Sequence, residues 1–123
     1  MSEAVTLQEI RLALGLIPGL KLWRNNCGAF RDRSGQVVRF GVANPGGSDL
    51  IGFKSVLITP EHVGSTLAVF AAVEVKAPGG MHRVTPEQHA FIRAVEAAGG
   101  IAGVARSPAQ ALLALGIAEA VTA

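Results

Sequence analysis

The sequence predicts an α/β fold in which helices flank a mixed β-sheet, and the order of its hydrophobic patterns is the main evidence. Helical spacing opens the chain, alternating strand-like segments follow, and the last part has the pattern helix, strand, helix. The chain has 123 residues, half of them hydrophobic. Because domains cluster near ~100–150 residues, we predict a single domain over residues 1–123.

An amphipathic helix is predicted over residues 3–16, and Pro18-Gly19 ends its pattern. The apolar residues recur at the spacing of one helix face, at Leu7, Ile10, Leu14 and Ile17. The start of the helix is open to two interpretations. Thr6 and Glu9 have the spacing of a capping box, which would leave Glu3 outside the helix. An earlier start would place Glu3 near the apolar stripe.

The next segments alternate as β-strands do. Residues 20–24 and 37–40 both alternate, and the turn signal Ser34-Gly35 lies between them, so we expect these two segments to form a first antiparallel pair. A turn cluster at residues 44–48 then delivers Asp49 onto the apolar start of another strand. Asp49 is therefore expected at a loop-to-strand junction.

The remaining elements are marked by prolines and glycines. A short helical turn is predicted from Thr59 to Gly64, and the longest strand from Leu67 to Lys76, before a break at residues 77–80. Two capped helices with a strand between them complete the order, over residues 85–99, 101–106 and 107–116.

Charge is low overall but locally basic. The formal net charge is +2 and 16% of residues are charged, so the whole chain does not indicate a polyanion partner. Between Lys21 and Arg39, five basic residues face one acid, Asp32. This density suits phosphate groups, and a solvated basic hairpin would explain it equally well.

The cysteine, the histidines and the longest apolar stretch indicate the compartment, the metal and the relation to membranes. A single cysteine, Cys27, excludes an internal disulfide, and we expect a reducing cytosol. The histidines lack metal-ligand spacing, so zinc is not predicted. The most apolar stretch, residues 67–75, is far shorter than the ~20 residues of a membrane helix, so no membrane association is expected.

Glu74 and Lys76 form the first candidate site. Residues two apart in a strand point to the same face, so these side chains emerge together, whereas Val73 and Val75 are expected to point into the core. A carboxylate on an apolar strand is costly unless something binds it. A metal ion would offset that cost, and so would a plain ion pair with Lys76 at the sheet margin.

Asp49 extends this pair to a metal site. If its strand brings Asp49 beside Glu74, two carboxylates and the Val75 carbonyl supply the oxygen ligands that Mg²⁺ prefers. Lys76 would then hold or help deprotonate the attacking water. The alternative for Asp49 is an Asx-type turn cap.

Gln88 lies on the helix that follows the Glu74 strand, on the same stripe as its apolar residues. A capping-box role with Thr85 would explain this glutamine without any catalytic part. The sequence pattern leaves both roles open.

Three segments, taken in order, resemble the virus-type replication-repair nuclease (VRR-NUC) domain, a branch of the PD-(D/E)xK nuclease superfamily. They are Gly46-Gly47-Ser48-Asp49-Leu50-Ile51-Gly52, Ala72-Val73-Glu74-Val75-Lys76-Ala77-Pro78-Gly79-Gly80 and Thr85-Pro86-Glu87-Gln88-His89-Ala90-Phe91. The resemblance extends over nearly the whole chain, from Glu3 to Ser107. Glu-x-Lys alone is a weak signal, but the ordered series is specific. Ser48 stands where the superfamily has a proline.

The resemblance implies a restriction-endonuclease-like fold with an αβββαβ core, and Mg²⁺- or Mn²⁺-dependent cleavage of DNA phosphodiester bonds. It assigns metal binding to Asp49 and Glu74, catalytic support to Lys76 and an active-site place to Gln88. A glutamate of the first helix also belongs to the family pattern, and Glu3 matches it by its offset from Ile10.

Stand-alone members of this size resemble phage or bacterial proteins that act as homodimers on branched DNA such as four-way (Holliday) junctions in DNA repair. The expected location is accordingly the cytosol of a bacterium or of a phage-infected host. Two alternatives stay open: a nuclease of the nicking type without junction preference, and a nucleic-acid-binding module that has lost its chemistry.

Overall fold

The computed structural model describes residues 2–79 and 83–117. These residues form two compact units, which divide between Val56 and Leu57, and each unit is described by itself. Helices and small sheets alternate along the chain, which confirms the predicted α/β class. A single domain over the whole chain stays a prediction. Gly80, the last residue of the predicted strand break, lies outside the described residues.

The first helix, α1, spans Glu3–Leu14 and packs on the strand that follows it. Its N-cap is Ser2, whose Oγ accepts a hydrogen bond from the Val5 amide at 3.2 Å. The capping box of Thr6 and Glu9 is therefore wrong, because Thr6 already lies inside the helix and its hydroxyl donates to the Ser2 carbonyl. Glu3 is the first helical residue.

Four strands complete the first unit: β1 (Leu20–Arg24), β2 (Gly28–Arg31), β3 (Val37–Phe40) and β4 (Leu50–Lys54). β1 pairs with β4, and β2 pairs with β3, both antiparallel. The predicted pair of residues 20–24 with 37–40 is thus wrong. Alternation indicates a strand but cannot select its partner. The sequence did not predict β2, because Phe30 is its one large apolar residue.

The close contact between β1 and β4 explains Gly52. A Cβ atom at this position would overlap the Lys21 carbonyl oxygen, so only glycine allows the two backbones to approach in this register.

The second unit contains a short 3₁₀ helix (Pro60–His62), β5 (Ala71–Val75), α2 (Pro86–Ala97), β6 (Ile101–Ala105) and α3 (Pro108–Ala114). The positions of the helical turn and of both capped helices are confirmed. β5 and β6 are parallel and joined through α2, as in a βαβ unit. β5 has five residues, fewer than predicted, because its ladder extends only as far as its five-residue partner.

The core of this unit lies around the β5–β6 pair. Val95 of α2 and Ala105 of β6 are almost fully buried, at 1% and 2% exposure. On β6, Gly103 gives room to α3, since a Cβ there would lie 2.8 Å from the Ala114 Cβ. The end of β5 is therefore held by its pairing with β6, which itself packs against α2 and α3. None of the described helices has the length and apolar character needed to cross a membrane.

Candidate active site

Glu74 and Lys76 lie together at the carboxyl end of β5, as strand geometry predicts. Lys76 follows the last residue of the strand, but its amide still donates to the Ala105 carbonyl at 3.0 Å, so the ladder with β6 holds it in place. The Lys76 Nζ is 3.5 Å from the Glu74 Oε1. The lysine side chain is only 14% exposed and the glutamate 32%, so both charges are partly withdrawn from water.

Lys76 and Glu74 form an ion pair whose length leaves the ammonium its hydrogen-bond donors. Charge-assisted N–H···O bonds are typically ~2.7–2.9 Å long. At 3.5 Å, the Lys76 ammonium contacts the carboxylate without forming such a bond. The ammonium therefore retains donors for a further ligand near Glu74.

Gln88 joins the same site through α2. Its Nε2 donates to the Glu74 Oε1 at 2.8 Å. Its Oε1 accepts from the Thr85 amide at 2.9 Å, and the Thr85 Oγ1 accepts from the Gln88 amide at 3.1 Å. The two roles that the sequence left open thus coexist, because one end of the amide caps the helix and the other binds the glutamate.

Glu74 is left with one oxygen for a ligand. Gln88 donates to Oε1, which is also the oxygen in the contact with Lys76, and no described residue donates a hydrogen bond to Oε2. A carboxylate oxygen held at a strand end by neutral and cationic neighbours fits a hard divalent cation, which takes oxygen ligands.

Val75 is considered for its backbone carbonyl, which is a candidate metal ligand. Its side chain is exposed, contrary to the prediction. In a trans peptide the N–H and C=O point in opposite directions, and the Lys76 N–H points to β6, so the Val75 carbonyl points away from β6. The prediction that the Val75 side chain enters the core is wrong, since the residue is 73% exposed. Val75 lies on the face of β5 opposite to Glu74 and Lys76, and its side chain on that face is open to solvent.

Beside the Glu74 carboxylate, an open groove runs between β5 and α2. Its lining residues include Ala72, Glu74, Glu87, Gln88, Phe91 and Ile92. The groove is mainly apolar. Its polar side chains are the carboxylates of Glu74 and Glu87 and the amide of Gln88.

Asp49 lies in the first unit, directly before β4, where the sequence placed it. It is exposed, and its carboxylate has no hydrogen bond or ion pair within the part of the chain that the structure describes. The alternative of an Asx-type turn cap is therefore not realised. Nothing local engages this carboxylate, so it is available for an external ligand.

The loop before Asp49 is held by Asn25, which the sequence reasoning missed. The Asn25 Nδ2 donates to the carbonyls of Val42 (2.9 Å) and Ser48 (3.1 Å), and its Oδ1 accepts from the Val42 amide at 2.9 Å. Its own amide donates to the Asp49 carbonyl at 2.8 Å. Gly47 permits this arrangement, since a Cβ there would overlap the Val42 carbonyl oxygen to which Asn25 donates. An asparagine at a strand end, opposite a glycine-rich loop, was the signal that could have indicated it.

Glu3 is exposed at the start of α1, also in the first unit. The structure thus brings Glu74, Lys76 and Gln88 together. The convergence of Asp49 and Glu3 on these three residues stays a prediction.

The family of the chain follows from comparison with known proteins. The pattern of the VRR-NUC domain matches residues 36–109, more than half of the chain, and the chain belongs to the VRR-NUC family. The domain is therefore a nuclease of the PD-(D/E)xK type. Asp49, Glu74, Lys76 and Gln88 all fall inside the matched residues, and Glu3 falls outside. Comparison with curated proteins and with solved structures gave no significant match.

Proposed function

We propose that the protein is a divalent-metal-dependent endonuclease that hydrolyses DNA phosphodiester bonds, with Mg²⁺ or Mn²⁺ as its cofactor. The observation that carries the proposal is that the two oxygens of the Glu74 carboxylate differ in their contacts. Gln88 and Lys76 contact Oε1, and Oε2 accepts no hydrogen bond from a described residue, so it can bind a cation. Membership of the VRR-NUC family supports the reaction class.

The proposed ligands are the carboxylates of Asp49 and Glu74 and the main-chain carbonyl of Val75. All are hard oxygen donors, and a Mg²⁺ site commonly combines one or two carboxylates with several waters. When bound, the cation supplies Lewis-acid polarisation of the phosphate and a more acidic water.

The remaining residues orient the Glu74 carboxylate and balance charge at the site. Lys76 places an ammonium beside Glu74, where it would hold the attacking water and offset negative charge developing on the scissile phosphate. Gln88 fixes the Glu74 carboxylate in one orientation through its Nε2. We propose Glu3 as a further active-site carboxylate.

The finer proposals rest on the family resemblance and on symmetry. We propose four-way junctions and similar branched DNA as the preferred substrate, cut by a homodimer during DNA repair. A two-fold dimer would present two active sites to a two-fold-symmetric junction. The proposed location is the cytosol of a bacterium or of a phage-infected host.

The test compares four variants on junction, flap, nicked and linear DNA with Mg²⁺ or Mn²⁺. We expect Glu74→Ala and Lys76→Ala to lower cleavage at least 100-fold, a loss of about 2.7 kcal/mol or more of transition-state stabilisation. Both should leave the thermal midpoint within a few degrees of wild type, because neither side chain belongs to the packed core.

The matched controls are Glu96→Ala and Lys54→Ala, which remove the same charges from exposed positions in α2 and β4. They should cleave like wild type. A folded wild-type protein that leaves every substrate uncut with both metals would contradict the proposal. Cleavage of the linear arms and the junction at equal rates would contradict only the junction preference.

A further inference from the structure

The hairpin formed by β2 and β3, residues 28–40, has two chemically different faces. In the antiparallel register Ala29 lies opposite Arg39 and Arg31 opposite Val37, so both arginines share one face. Phe30 and Phe40 lie on the other face, where their ring centroids are 6.5 Å apart. We call the first of these the basic face.

The two arginines of the basic face are close enough to bind one continuous ligand. Arg31 and Arg39 are diagonal neighbours across the strand pair, a relation that typically separates residues by ~7–8 Å. Both are exposed, and neither forms an ion pair with a residue that the structure describes. The Arg31 Nη1 donates to the Gly35 carbonyl at 2.9 Å, which steadies the guanidinium while its other donors stay available.

The single acid of the hairpin does not neutralise this face. The Asp32 carboxylate accepts hydrogen bonds from the Ser34 hydroxyl at 2.6 Å, the Ser34 amide at 2.9 Å and the Gln36 amide at 3.0 Å. These bonds, the Ser34 hydroxyl first and the Gln36 amide next, hold the pKa of Asp32 below its ordinary value. Asp32 thus closes the turn as a carboxylate and forms no ion pair with a described arginine. Its one negative charge stands against the three positive charges of Arg31, Arg33 and Arg39.

We propose that the basic face, through Arg31 and Arg39, binds the phosphodiester backbone of the DNA substrate. Guanidinium groups match phosphate geometry with paired N–H donors, and a two-stranded β-ribbon is an element that the major groove, ~12 Å wide, admits. This inference rests on the proposed function, which supplies DNA as the ligand. It assigns the hairpin a binding role outside the cleavage site.

The experiment measures binding of the full chain to a labelled linear duplex and a labelled four-way junction by fluorescence anisotropy. EDTA replaces divalent metal so that no cleavage occurs, and the salt concentration is varied. For each phosphate that the protein no longer neutralises, the slope of log K against log salt should fall by ~0.9. We therefore expect Arg31→Ala with Arg39→Ala to flatten the slope by nearly two and to weaken binding at least tenfold.

Two controls accompany this experiment. The first keeps both charges and tests whether weaker binding comes from lost charge and not from a folding defect. The second removes an arginine elsewhere and tests whether the position of the charge matters. Arg31→Lys with Arg39→Lys keeps both charges and should retain most of the wild-type slope. Arg93→Ala removes one exposed arginine from α2 and should leave the slope unchanged, whereas the single variant Arg31→Ala should lower it by about one.

The outcomes distinguish this inference from the proposed function. If wild type binds and cuts DNA but the double alanine variant has the wild-type slope, the hairpin does not bind DNA and the proposed function stands. An equal effect of Arg93→Ala also overturns the inference, because it would reflect net charge alone. A change in oligomer mass without any change in DNA affinity would overturn it in favour of a second protein chain. A wild-type protein that neither binds nor cuts DNA overturns both.

Discussion

At the scale of single residues, the site depends on how hydrogen-bonding groups are shared. Gln88 uses its oxygen for the N-terminal cap of α2 and its nitrogen for Glu74. The sequence predicted the cap from spacing alone, because capping is local. The contact with Glu74 spans fourteen positions of the sequence, so no spacing rule could specify it. The family resemblance gave Gln88 an active-site place, and the contact itself appeared only in the structure.

Gln88→Glu separates the two functions of this residue. Glutamate is itself a capping-box residue, so the Thr85 bond is retained, but the donor to Glu74 is replaced by a second carboxylate. We expect at least a tenfold lower cleavage rate with a thermal midpoint close to wild type. Thr85→Ala should do the reverse, destabilising the protein by about 1 kcal/mol with a smaller effect on cleavage. A Gln88→Glu variant with wild-type rate would contradict this assignment.

At the scale of elements, the sequence predicted what is decided locally. The helix α2 and the 3₁₀ turn begin where an N-cap threonine precedes a proline, and the structure confirms both. Strand partners were not predictable in this way. Alternation identifies a strand but not its neighbour, so the pairing of β1 with β4 appeared only in the structure.

The loop of residues 41–48 shows how one element positions a site residue. Asn25→Ala removes three side-chain hydrogen bonds to this loop, each worth ~0.5–1.5 kcal/mol. We expect a decrease of about 2 kcal/mol in the free energy of unfolding, measured by urea denaturation, and faster hydrogen exchange of the Val42 amide. Asn26→Ala, at the exposed neighbouring position, should change neither quantity. Unchanged exchange at Val42 in Asn25→Ala would contradict the role of this side chain.

At the scale of the whole molecule, the ordered motif series identified a VRR-NUC nuclease, and the family match confirms it. The same series named Glu74, Lys76 and Gln88, and in the structure Lys76 and Gln88 each contact the Glu74 carboxylate. Physical reasoning on Glu-x-Lys alone favoured an ion pair, since two charges on one strand face need no ligand. The structure shows that ion pair and adds the hydrogen bond from Gln88 to the same carboxylate, which an ion pair alone does not require.

Periodicity cannot predict whether two strands far apart in the sequence bring Asp49 and Glu74 together, so their convergence stays a prediction. Each carboxylate is available for a ligand in its own unit, Asp49 without any described partner and Glu74 through Oε2. The central claim is that one divalent cation joins them.

A crystal structure of the full chain with Mn²⁺, analysed by anomalous scattering, tests that claim most directly. We predict one anomalous peak bonded to oxygens of both Asp49 and Glu74, at the ~2.1 Å typical of small divalent cations, with the Val75 carbonyl and waters completing the shell. A peak at other residues, with Glu74 held only by Lys76 and Gln88, would contradict the account.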